Sequence, residues 1–233
     1  MKTELLKGNL HDHWEYEVND FGGGNQERQM YVDSPEFADM DYSHWRDGEL
    51  RITAKRKEAN ICGHVMPYSS GRIRTKRRFD FRYGELSFWA AIPRQQGLWP
   101  AVWMLPTDNA YGPWPASGEI DILEAKNDEH RTVYHAVHYG PSWEKRQMKS
   151  KQVFYGDFPG IWQQFAFQWD ATGFGWFINT VPTFEVSMAK PFDQRFHLII
   201  NLAVGGQFPG MEPKPDWQQS DFRIRDLVVE TAD

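Results

Sequence analysis

The sequence predicts an all-β protein made of two packed antiparallel sheets. No long amphipathic helical repeat runs through it. Short stretches of alternating apolar and polar residues recur, and Gly, Pro, Asn and Asp separate them at sandwich-like intervals. A length of 233 residues is ordinary for such a sandwich folding as one domain, 1–233. Neither an internal repeat nor a linker composition marks a second.

In chain order, strands are predicted at 49–55 (ELRITAK), 72–79, 84–91 (GELSFWAA), 119–124, 132–138 (TVYHAVH), 164–169 (QFAFQW), 175–178, 197–204 (HLIINLAV) and 222–230 (FRIRDLVVE). Turn residues crowd at 21–25 (FGGGN), 106–115 (PTDNAYGPWP) and 205–215 (GGQFPGMEPKP). These read as loops, as does 141–158, and loops carry function more often than the scaffold does.

Hydrophobic residues make up 40% and charged residues 25%, which excludes a disordered or fibrous chain. The departure from average is aromatic: 15%, with 11 Trp, more rings than a core of this size needs, so some are expected against a ligand. Net charge is −6 and the basic residues are dispersed apart from Lys55–Lys57 and Lys76–Arg78, which argues against nucleic acid as a partner. The single cysteine, Cys62, rules out an internal disulfide and a thiolate metal cage; it is expected to be buried. The opening MKTELLKGNLHDHW lacks an apolar leader, and no later stretch resembles a membrane span. His11 and His13 read as a solvated terminus, so no metal site is expected.

The chemistry concentrates in GEIDILE, Gly118 to Glu124. In a regular strand Glu119 and Asp121 share one face while Ile120 and Ile122 point into the core, and Glu124 falls on the wrong side. One extra residue, a β-bulge at Ile122-Leu123, returns Glu124 to the face of Glu119 and Asp121. The two Glu backbones then lie on the order of 13 Å apart, and converging side chains could bring the carboxyls to the ~5 Å of a retaining glycosidase. Glu119 would be the nucleophile, Glu124 the acid and later the base, and Asp121 the group between them. Three crowded carboxyls cannot all ionise easily, so at least one pKa should rise. The plainer reading of ExDxxE is the solvent face of an edge strand. The Trp114-Pro115-Ala116-Ser117 approach favours a sugar site, because aromatic faces stack on pyranose rings.

Further motifs surround this strand: 71–93 (GRIRTKRRFDFRYGELSFWAAIP), 97–106 (GLWPAVWMLP), 114–125 (WPASGEIDILEA), 135–140 (HAVHYG) and 191–210 (PFDQRFHLIINLAVGGQFPG). In order and approximate spacing they resemble glycoside hydrolase family 16, most closely its laminarinase branch of endo-1,3-β-glucanases. The resemblance implies a β-jelly-roll sandwich whose concave face is an open polysaccharide cleft, with endo cleavage and retention of configuration. It implies the same roles for Glu119 and Glu124. The bulged ExDxxE form belongs to laminarinases and some galactanases, and the unbulged ExDxE to lichenases.

By the same resemblance Asn25, Arg72, Trp99, Trp103, Trp114, His138 and Gln207 are substrate-binding candidates. Five of them keep a structural alternative: Trp99 or Trp103 could fill the core, Arg72 could be a surface ion-pair partner, His138 a satisfied polar residue and Asn25 a turn residue. The chain is expected to start after the family's usual first strand. Some members hold a structural calcium, for which the resemblance offers Asp226 alone here; no cofactor is required, and a structural calcium stays open. The expected partner is a β-1,3-glucan or mixed 1,3/1,4-glucan, met outside the cell by a monomer. The alternatives are a galactan hydrolase of agarase or porphyranase type and a non-catalytic glucan-binding module.

Overall fold

The computed structural model describes residues 1–7, 10–18, 24–32, 42–46, 48–126, 132–154 and 161–231. The strands are β1 Lys2–Glu4, β2 Glu15–Tyr16, β3 Gln29–Tyr31, β4 Ser43–Arg46, β5 Glu49–Lys55, β6 Ala59–Ile61, β7 His64–Met66, β8 Tyr68–Ser70, β9 Arg72–Arg74, β10 Gly84–Ala91, β11 Leu98–Pro106, β12 Glu119–Ala125, β13 Thr132–Tyr139, β14 Gln147–Phe154, β15 Gln163–Trp169, β16 Gly173–Ile178, β17 Val181–Ser187, β18 Phe196–Val204 and β19 Gln219–Glu230. Two sheets face each other. One runs β17-β16-β15-β10-β19-β5-β8-β3, with β1 added on β19 and β4 on β5; the other runs β14-β13-β12-β11-β18-β9-β2. Pairing is antiparallel apart from β3 with β8. This is the jelly-roll sandwich expected from the sequence, and no helix among the described residues is long and apolar enough to cross a membrane.

Alternation fixes which side chains meet. From the seven-stranded sheet Val102, Met104, Ile120, Ile122, Leu123, Val133, Val137, Leu198, Ile200 and Leu202 point inward. They meet Phe165, Phe167, Trp176, Phe222, Ile224 and Val229 of the opposite sheet in one core. Each fully buried side chain of this size contributes roughly 1.5–3 kcal/mol. The outward side of the seven-stranded sheet is left free to line a cleft.

Three sequence expectations need correction. The 72–79 strand ends at Arg74, because Arg78 and Phe79 donate back to the Thr75 carbonyl and Arg77 adopts φ +63°. The 141–158 loop instead contains β14, an edge strand exposed along nearly its whole length, so no buried face imposed an apolar alternation. The apolar run 98–106, not among the strands predicted above, forms a central strand, β11, with Pro100 and Pro106 in it. Cys62 is exposed: it sits at the β6–β7 hairpin turn with φ +52°.

At the amino end β1 pairs with β19, Lys2 opposite Glu230. His11 and His13 pack edgewise on Tyr16 and Phe79.

Candidate active site

The acidic strand β12 carries the predicted bulge. Its register with β13 pairs Asp121 with Ala136 and then Glu124 with Tyr134, so three steps on β12 meet two on β13. The register with β11 shifts at the same place. Ile122 and Leu123 are both buried, and the carboxyls of Glu119, Asp121 and Glu124 line one cleft of about 790 Å³. Just before β12, Gly118 has φ +85°, and a Cβ there would stand 2.6 Å from the Phe192 ring, so only glycine lets the strand start here.

Every substrate-binding candidate lines this cleft: Asn25, Arg72, Trp99, Trp103, Trp114, His138 and Gln207. Trp99 and Trp103, four residues apart on β11, share the cleft face, so neither is core. Trp99 Nε1 donates to Glu124 Oε1 at 2.9 Å, and Trp114 Nε1 donates to Glu119 Oε2 at 2.9 Å. The loop carrying Trp114 is pinned from below. The buried Ser117 hydroxyl donates to the Gly112 carbonyl at 2.6 Å and accepts from the Tyr111 amide at 3.0 Å. His138 Nε2 stands 3.3 Å from Asp121 Oδ2 and 3.8 Å from Glu119 Oε1.

Arg72 is buried, pairs with Glu17 at 3.0 Å and holds its guanidinium 5.0 Å from the Trp103 ring centre. Asn25 adopts φ +49° in a turn, and its carbonyl accepts the Gln207 amide at 2.8 Å, tying the two cleft loops together.

The structure adds residues that sequence reasoning missed. Phe208 and Tyr134 close around Trp99, with ring centres 4.8 Å apart for Trp99–Phe208 and 5.1 Å for Tyr134–Phe208. Trp143, 64% exposed, lies 5.0 Å from Trp114, and Arg146 stacks over both rings. Beneath Trp103 runs a buried polar chain. Trp103 Nε1 donates to Asn201 Oδ1 at 2.8 Å, Asn201 Nδ2 donates to the Tyr31 hydroxyl at 3.0 Å, and Tyr31 donates to Glu27 Oε2 at 3.1 Å. Asn201 had a signal, a lone amide in the apolar run HLIINLAV; Tyr134 had one too, four residues before His138 on the same face. Trp143, which opens a single 3₁₀ turn between β13 and β14, had none.

Burial dominates the electrostatics. It raises the Glu119 carboxyl to about 8, with the Asp121 charge adding to the effect and His138, the Trp114 indole and Arg72 opposing it. Burial likewise raises Asp121 to about 8. Glu124 stands well above its ordinary range through burial and then the charges of Asp121 and Glu119, opposed by His138 and the Trp99 indole. Glu119 also has Arg72 working to lower it, and its side chain keeps 17% exposure to the cleft. It is therefore the easier of the two Glu residues to ionise, and Glu124 keeps its proton longer. Under Trp103, burial raises Glu27 to about 7.

Among the described residues, the cluster of ligating side chains is Glu119, Asp121 and His138, with donor atoms within 4.8 Å, and these belong to the acidic strand site itself. Asp226, the calcium candidate, has a 70% exposed side chain 3.7 Å from Arg225 Nε and joins no such cluster. Asp226 supplies one of the six to eight oxygens a calcium ion takes, and the others would have to come from backbone carbonyls and water.

A jelly roll whose cleft joins paired buried carboxyls to a wall of tryptophans defines a polysaccharide-cleaving glycoside hydrolase. The chain belongs to glycosyl hydrolases family 16, whose sequence profile matches residues 12–223. It is 32% identical over 223 residues to a glucan endo-1,3-beta-glucosidase A1 of Niallia circulans, covering 84% of this chain but 32% of that protein. It is 33% identical over 273 residues to a beta-1,3-glucan-binding protein of Penaeus monodon, covering 88% and 74%. The laminarinase catalytic domain from Thermotoga maritima superposes with a TM-score of 0.84 at 27% identity over 98% of this chain and 95% of that one.

Proposed function

We propose that the chain is a retaining endo-hydrolase of β-1,3-glucan or mixed 1,3/1,4-glucan, acting outside the cell on a polymer threaded through the open cleft. The observation that carries this is the bulge, which brings Glu124 onto the face of Glu119 and Asp121. Glu119 attacks the anomeric carbon. Glu124 protonates the leaving oxygen and then deprotonates the incoming water, so two displacements restore the starting configuration. The Trp114 indole and His138 hold the Glu119 anion, and the Trp99 indole aims Glu124. No step calls for a metal.

New reducing ends are expected from laminarin, and from lichenan if the mixed linkage is accepted. Activity confined to agarose would favour a galactan instead. The Penaeus relative supports a second reading, a module that binds glucan without cutting it. Binding to laminarin by a wild type that hydrolyses neither glucan would establish that reading.

Asp121 tests the proton assignment. Its charge is the largest neighbouring influence keeping Glu124 protonated. Only protonated Glu124 can act as the acid, so the alkaline limb of kcat/KM follows its ionisation. Removing the Asp121 charge lets Glu124 ionise at lower pH, so in Asp121→Asn that limb is expected to shift to the acid side. A limb that stays in place or moves to higher pH refutes the coupling.

A further inference from the structure

Opposite the bulge, the core holds an unusual group. In the β12–β13 register, Ala136 faces Asp121 and Tyr134 faces Glu124, which leaves His135 as the residue opposing Ile122-Leu123. His135 is 1% exposed and points inward among Val133, Val137 and Trp176, away from the cleft. A buried imidazole in an apolar core is costly unless its nitrogens are satisfied. Nδ1 lies 2.7 Å from the Ile122 carbonyl. That oxygen only accepts, so Nδ1 carries the hydrogen, and burial holds the ring neutral by lowering its pKa to about 4. Nε2, left as an acceptor, faces the Thr183 hydroxyl at 3.1 Å, whose single hydrogen is shared between it and the Trp176 carbonyl at 3.0 Å.

Trp176 completes the arrangement. Its indole Nε1, buried in the opposite sheet, donates to the Asp121 carbonyl at 3.1 Å. The carbonyls of Asp121 and Ile122, where the bulge begins, are thus each held by a side chain, Trp176 from the opposite sheet and His135 from the neighbouring strand. An extra residue in a strand disrupts the ladder locally, and a carbonyl buried without a partner costs about 1–3 kcal/mol. With these groups in place, the bulge has one preferred geometry. Glu124 follows two residues after Ile122, so the direction of its side chain depends on that geometry.

We propose that His135, braced by Thr183 and joined by Trp176, is a positioning residue that locks the β12 bulge and thereby holds Glu124 at the scissile bond. It touches no substrate. The claim rests on Glu124 acting as the acid, and its test separates acid-dependent from acid-independent chemistry. Laminarin needs a protonated leaving group; a 2,4-dinitrophenyl β-laminaribioside does not, so its first burst of dinitrophenolate reports nucleophilic attack alone.

His135→Leu is expected to lower kcat on laminarin about tenfold to a hundredfold, the scale of a misplaced catalytic group. KM and the dinitrophenolate burst rate should stay within about twofold on the same reasoning. His135→Asn, whose amide nitrogen can replace Nδ1 as donor to Ile122, should recover most of the loss. Equal losses on both substrates, no loss on laminarin, or no recovery in His135→Asn would each overturn the proposal.

If His135→Leu does not fold, Thr183→Val removes only the hydroxyl at the far edge of the ring. It should show the same split between substrates at smaller size, and absence of the split counts equally against the claim. Glu124→Ala measured alongside tells two failures apart. If it loses both substrates alike, the acid role is wrong and the proposal falls with it. If it separates them while the His135 variants do not, the positioning claim alone falls.

Discussion

Glu119→Ala is expected to lower kcat on laminarin by on the order of 10⁴-fold or more, about 5.4 kcal/mol of lost transition-state stabilisation. Without its carboxylate no covalent intermediate can form, and Glu124 acting alone has nothing to displace against. The vacated space beside Trp114 and His138 suits a small anion, since the groups that held the carboxylate remain. Azide, offered with an activated aryl β-glycoside, should therefore enter from the face opposite the leaving group and give the α-glycosyl azide. Formation of the β-azide instead would reassign the nucleophile.

Stability provides the control. The folded Glu119 carboxyl titrates at about 8 against an ordinary 4.5. The unfolded chain thus releases this proton first, and folding loses stability as pH rises from about 4.5 to 8. Glu119→Gln has no proton to lose there. It should melt above wild type at pH 8, with the gap closing towards pH 5, so a dead variant that melts higher has lost chemistry rather than structure.

What could be read from the sequence depended on whether the reason for a residue lay along its own strand. The face of Glu119, Asp121 and Glu124 follows from a period of two and one inserted residue, so the bulge and the strand boundaries near it could be predicted. The common face of Trp99 and Trp103 follows from the same period. β14 could not be read, because an edge strand solvated on both sides has no apolar phase. The early end of β9 turns on a left-handed Arg77, a conformation that its residue type does not announce. His135 was opaque for a different reason. In TVYHAVH it looks like one more inward position of a half-buried strand, and it acquires meaning only when register sets it opposite the extra residue on β12. Glu17, which pairs with Arg72, was missed likewise, since that contact joins segments 55 residues apart. Local periodicity thus revealed the reacting carboxyls, while the groups that hold them in place come from long-range pairing.

The loss expected in Glu124→Ala depends on the leaving group, and that dependence distinguishes an acid from any other contributor. On laminarin the departing sugar alkoxide must be protonated as the bond breaks, and a positioned acid typically contributes 10²–10⁴-fold, so a fall of about 10³-fold in kcat is expected. With a dinitrophenyl glycoside the leaving group departs as a stable anion, and Glu119 should attack at a rate near wild type, visible as a burst. Turnover then stalls, because the same missing carboxyl is needed to deprotonate water. Azide requires no deprotonation, so it should release the stalled intermediate and give the β-glycosyl azide, opposite in configuration to the product from Glu119→Ala. The Trp99 indole, which donates to Glu124, gives a graded version of this result. Trp99→Phe keeps the ring but removes that bond, so it should weaken laminarin cleavage more than the burst, and by far less than Glu124→Ala. A Glu124→Ala enzyme that loses the burst and laminarin hydrolysis equally would place the acid elsewhere in the cleft, with Asp121 the next carboxyl to test.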